Sequence, residues 1–171
     1  MSGTQIFAST ISVMFPAVMV YAGFMDLLTL KIRNYLVLGI AAAFFVAAPV
    51  IGLSFQDIAL NVGVALLVLM VCFGFFAAGW IGGGDAKLAA ATALWFGTDL
   101  ILEYLVISTL AGGLLTLALL GFRNILLPAS FYSRPWLVKL HEGKSGVPYG
   151  IAFAIGALVV FPDTVWFKAI G

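Results

Sequence analysis

Long apolar runs separated by short polar joints organise the chain. Six such runs can be marked, at residues 6–25, 35–53, 58–80, 86–97, 100–122 and 149–167. Most approach the roughly 20 residues that a helix needs to cross a bilayer. The fourth is short and is expected either to cross or to form a re-entrant half-helix lining a cavity. Glu103 lies near the start of the fifth, and Pro162 and Asp163 fray the far end of the sixth. The pattern predicts an all-α, polytopic membrane protein with about six transmembrane helices in a single domain over residues 1–171. No internal repeat and no second, soluble domain is evident.

Basic residues in the joints give the orientation. Lys31, Arg33, Lys87, Arg123, Arg134, Lys139 and Lys144 fall on one side of the predicted spans, and only Lys168 on the other. The basic side is expected to be cytoplasmic, which places both termini on the non-cytoplasmic side. The joint over residues 123–148 is the only sizeable polar segment. Within it, Trp136, Leu137 and Leu140 alternate with Arg134, Lys139 and His141, as in a short element lying at the headgroups. Pro128 and Pro135 argue against one continuous helix there.

Composition agrees with a bilayer setting. The chain is 64% hydrophobic, with eight Lys+Arg and seven Asp+Glu in 171 residues, and its mean hydropathy is +1.19. A soluble fold of this length could not hide so much apolar surface. A net charge of +1 gives no concentrated basic patch for nucleic acid. The single cysteine, Cys72, sits in an apolar run and reads as a small buried hydrophobe. The single histidine, His141, excludes a multi-histidine metal site and reads as a solvated loop residue. No Lys or Arg occurs in the first 30 residues, so the basic region of a cleavable signal is missing and the first helix is expected to stay.

Acids at membrane depth are costly and therefore informative. Asp57, Asp99 and Asp163 sit at segment ends on the proposed outer side, where capping or hydration accounts for them, and Glu103 reads as interfacial. Glu142 lies in a polar loop. Asp26 and Asp85 differ, because the predicted topology puts both at one depth just inside the cytoplasmic boundary. Two carboxylates forced together cannot both ionise freely. One can then deprotonate a water while the other, protonated, polarises a carbonyl, which is the working state of an aspartic protease. Gly82, Gly83 and Gly84 precede Asp85. Lacking β-carbons, they could let an extended substrate backbone approach and could take positive φ. A flexible hinge whose aspartate caps the next helix explains the same residues. Lys87 falls on another face and need not pair with Asp85.

These residues resemble a known family. Gly82-Gly83-Gly84-Asp85 fits a GxGD motif, and the run through Ala86, Lys87 and Leu88 is similar to type IV prepilin leader peptidases, closest to the short form of Tad/Flp pilus systems. Asp26, followed by Ile32 and Asn34, resembles the family's first aspartate motif, and Pro148-Tyr149-Gly150 its Pro-Tyr-Gly stretch. Arg33 and Ile151 stand where the family often has proline. The resemblance implies an intramembrane aspartic endopeptidase of the bacterial inner membrane, with Asp26 and Asp85 catalytic and Gly82–Gly84 holding substrate. It implies a prepilin or pseudopilin partner, cut at the cytoplasmic boundary, and no metal or organic cofactor. The joint between the first two helices is about ten residues without cysteine, so the N-methylation of longer relatives is not expected.

A proton-coupled carrier using the same aspartates is the main rival, although it predicts an acid near mid-bilayer. A structural scaffold packed through Gly112, Gly113 and other small residues is the other. Oligomeric state stays open.

Overall fold

A computed structural model describes residues 3–143 and 146–169, with helices and no strand among them. Lys144, counted in the charge asymmetry, lies outside the described residues. The helices are α1 (Gly3–Thr29), α2 (Asn34–Val50), α3 (Phe55–Ala77), α4 (Gly83–Arg123), α5 (Pro135–His141), α6 (Tyr149–Val160) and α7 (Val165–Lys168). By length and composition, three stretches could cross a membrane: Gln5–Thr29, Phe55–Ala77 and Gly83–Arg123. Asn34–Val50 and Tyr149–Asp163 are apolar but shorter.

The fourth and fifth predicted segments are the two halves of α4, broken at Gly97 (φ 57°, ψ −157°). That conformation is essentially restricted to glycine. The chain doubles back there. Both ends of α4 return to one pole: Asp85 shares a cavity with Asp26 at the end of α1, and the Arg123 Nε donates to the Leu140 carbonyl of α5, whose Lys139 reaches the Thr29 carbonyl of α1.

Breaking a helix leaves its last carbonyls without intrahelical donors. Two distant side chains supply them. The Asn61 amide of α3 donates to the Leu94 carbonyl at 3.0 Å, and the Trp166 indole of α7 donates to that of Trp95 at 2.7 Å. Trp95 in turn donates to the Ile40 carbonyl of α2 at 3.2 Å. Its ring lies 4.7 Å from both Phe15 of α1 and Trp166. These contacts place the first half of α4, residues 83–96, at the centre of the bundle. From Asp85 to Gly97 every residue but Lys87 is buried. The alanines at 86, 89, 90, 91 and 93 let neighbouring helices approach closely. The shortest and least apolar predicted span is therefore the core.

At one end of the bundle, Asp57, Asp99 and Asp163 line a cavity of about 410 Å³ with Lys168. Asp57 is a helix cap there: its Oδ2 accepts from the Ser54 hydroxyl at 2.6 Å and backbone N–H at 3.1 Å. The joint after α4 forms a 3-10 turn (Ala129–Ser133) and then α5, with Pro135 in its first turn. Glu103 is exposed.

Replacing Gly97 by alanine should be costly, because a Cβ would sit 2.5 Å from Asn61 Oδ1 at a backbone geometry alanine resists. The expected cost is about 1–3 kcal/mol, a fall of roughly 2–10 °C in the unfolding midpoint in detergent micelles. Gly63→Ala, with open space around it, should leave the midpoint unchanged or slightly raised.

Candidate active site

The last turn of α1 carries Asp26. The helix ends where Leu30 takes a left-handed conformation (φ 52°), its N–H donating to the Asp26 carbonyl at 2.7 Å. The Thr29 hydroxyl closes the same turn on the Met25 carbonyl at 2.6 Å. From α5, the Lys139 ammonium donates to the Thr29 carbonyl at 2.8 Å, a cation on the negative end of the helix dipole. This end of α1 is thereby fixed from two directions.

The Asp26 side chain points at the start of α6. Pro148 has no N–H, and the first amides of a helix have no partner within it. The Gly150 N–H donates to Asp26 Oδ2 at 2.7 Å, so a carboxylate of α1 caps α6. A Cβ at Gly150 would lie 2.8 Å from Asp26 Cβ and 2.9 Å from Oδ2, so only glycine fits without displacing one of the helices. A Cβ at Gly23, one turn earlier in α1, would lie 3.3 Å from Ile151 Cα and Ala154 Cβ, tight but less so.

Asp85 occupies the first turn of α4, where the Gly82 N–H donates to its Oδ2 at 3.0 Å. The capping role left open by the sequence is thus present, and it uses one oxygen. The expectation that Gly82–Gly84 exploit positive φ is not met. None of the three has it; Gly79, ahead of them, does (φ 76°). Their reason is space. A Cβ at Gly82 would sit 2.8 Å from Asp85 Oδ2, one at Gly83 3.3 Å from the Phe76 ring, and one at Gly84 3.1 Å from Ile32 Cβ.

Asp26 and Asp85 line a single cavity of about 480 Å³, together with Gly82, Gly83, Gly84 and the α1–α2 connection from Leu30 to Asn34. Both side chains are buried, 4% and 7% exposed. Among the described residues neither has an ion-pair partner: Lys87 donates to Asn34 Oδ1 at 3.3 Å, while Lys31 and Arg33 line the rim. Arg33 has φ −78°, a value proline would also adopt. Cys72 is buried in α3, and His141 Nε2 lies 2.9 Å from the Ile125 carbonyl. No group of three or more His, Cys, Asp or Glu suited to a metal ion occurs among the described residues.

The sequence did not reveal the contact between Gly150 and Asp26. The Pro-Tyr-Gly stretch signalled a helix start, but nothing in it named the carboxylate that would cap it. Lys139 was likewise read only as a basic residue of the charge count and of a headgroup-facing segment, not as a partner of α1.

A model of the type IV leader peptidase family matches residues 13–117, a region that contains Asp26 and Gly82–Asp85. Searches of curated proteins and of solved structures return no match.

Alanine at Gly150 should force α6 away from α1 at a cost of about 1–3 kcal/mol, the usual penalty for overpacking. The measurable signs are a lower unfolding midpoint and faster hydrogen exchange at the first amides of α6. Gly146→Ala, with no atom within 4 Å of the added carbon, should change neither.

Proposed function

The chain belongs to the type IV leader peptidase family, and from that premise we propose that it is an intramembrane aspartic endopeptidase whose catalytic pair is Asp26 and Asp85. The observation that carries this reading is the convergence of two buried carboxylates from distant stretches of chain on one cavity, which Gly82, Gly83 and Gly84 also line.

The chemistry follows from that arrangement. A substrate segment lies extended along Gly82–Gly84, its scissile carbonyl between the two acids. One carboxylate takes a proton from a water, whose oxygen bonds to the carbonyl carbon. The other, protonated, donates to the carbonyl oxygen. The tetrahedral intermediate collapses as the C–N bond breaks and the amine nitrogen takes a proton from the pair, leaving a new carboxyl end and a new amino end. The backbone donors at Gly150 and Gly82 fix one oxygen of each acid, so the remaining oxygens are free to face the water. Pre-positioned groups of this kind lower the barrier by removing reorganisation.

The substrate we propose is a prepilin or pseudopilin of the Flp type, with a short basic leader ahead of a long apolar helix, cut after a glycine at the cytoplasmic boundary of the bacterial inner membrane. Six crossings with both termini outside fit this reading. The doubling back at Gly97 makes α4 two antiparallel helices. Asp57, Asp99 and Asp163 gather at the bundle end away from the proposed pair, where α7 also meets α1 through the Ser12 hydroxyl and the Trp166 carbonyl at 3.4 Å. N-methylation is not part of the proposal, because α1 and α2 are joined by the short connection from Leu30 to Arg33 with no inserted domain.

Coexpression with a Flp-type prepilin tests the pair. Asp26→Asn and Asp85→Asn should each leave the leader attached, with processing reduced on the order of 10²–10⁴-fold. Asp57→Asn should process normally. Leader removal at the wild-type rate by either of the first two variants would refute the paired mechanism.

A further inference from the structure

We infer that the apolar groove bounded by α2, α3 and the first half of α4 is the track on which the apolar helix of the substrate docks; this rests on the peptidase reading above.

The groove has a volume of about 500 Å³ and begins at Asn34 and Lys87. Asn34 also lines the cavity that holds Asp26 and Asp85, so groove and cavity meet at this residue. The Lys87 ammonium, donating to Asn34 Oδ1 at 3.3 Å, marks the junction, and beyond it the lining is apolar as far as Phe45 and Leu94. From Asn34 to Phe45 the track runs along about three turns of α2, roughly 16 Å.

Chain continuity selects the occupant. A substrate with its scissile bond between the acids, followed at once by an apolar helix, must leave the cavity over a surface that suits such a helix. Ala41, Ala65, Ala90 and Ala91 form part of the groove, and small residues let a second backbone approach closely enough for dispersion contacts to hold it. A larger apolar groove of about 580 Å³, between α3, the second half of α4 and α6, passes Cys72 but has no lining residue in common with the catalytic cavity. The two grooves therefore make different predictions about which residues a bound helix touches.

Disulfide cross-linking in liposomes separates them. The probe is a chimeric prepilin with a basic leader ending in glycine, joined to an apolar helix of about 20 residues, with one cysteine moved along its first three turns. The enzyme is the full chain carrying Asp85→Asn, so that no turnover is needed. In one arm Ala41→Cys is combined with Cys72→Ser; in the other the native Cys72 is the only thiol. Cross-linking at Ala41→Cys, recurring every three to four probe positions, is expected. Capture by the native Cys72 instead, or no cross-link at position 41 above a cysteine-free control, would overturn the track. With Asp85 intact, Ala41→Trp should raise KM for the probe by about tenfold with kcat unchanged, and should cut a peptide lacking the apolar helix as the unaltered enzyme does. An equal loss on both substrates would overturn the track as well. If the unaltered enzyme leaves the probe uncut, the peptidase reading itself fails, whatever the cross-linking shows.

Discussion

A carboxylate held in an apolar bundle must find a hydrogen-bond donor, and the first turn of a helix is the one place where backbone donors are free. The bond from the Gly150 N–H to Asp26 Oδ2, 2.7 Å long and joining residues 124 positions apart, meets both needs at once. It satisfies a buried acid and an unpaired amide, and it locks the end of α1 against the start of α6. Gly23 and Gly150 are the price in sequence terms, since larger residues at either position would hold the two helices apart. Asp85 repeats the solution on a local scale by accepting from Gly82.

The second organising element is the buried half-helix over residues 83–96. It begins with an acid of the proposed pair and ends in the aromatic cluster of Phe15, Phe44, Trp95 and Trp166. The polar contacts that complete its broken end, from Asn61 and Trp166, lie at the opposite pole from the cavity. The half-helix is thus pinned at its far end, and Asp85 opens a stretch buried through Gly97 except at Lys87.

Much of this was legible because apolar runs and glycines act locally. The boundary near residue 97 came from a short run ending in Gly-Thr-Asp, and the grouping of Asp26 with Asp85 from counting segments. The burial of the fourth run was not legible. Its shortness made it look a marginal span, whereas its alanines at a helix crossing signal close packing on every side. Asn61, Trp166, Gly150 and Lys139 escaped for a common reason. Each makes its decisive contact across a long sequence separation, and a single sequence carries no record of such pairs. The glycine run was read for substrate approach and for positive φ; the structure gives none of the three a positive φ and sets the chain's own Asp85, Phe76 and Ile32 against them.

The lengths of the central elements have a further consequence. A helix of 14 residues spans about 21 Å and the 12 residues of α6 about 18 Å, whereas the hydrocarbon layer of a bilayer is about 30 Å thick. Both are largely buried among longer helices, α1 and α3 among them. On the proposed reading, these shorter elements end inside the level of their neighbours, and that recess is where the water for hydrolysis would reach the cavity.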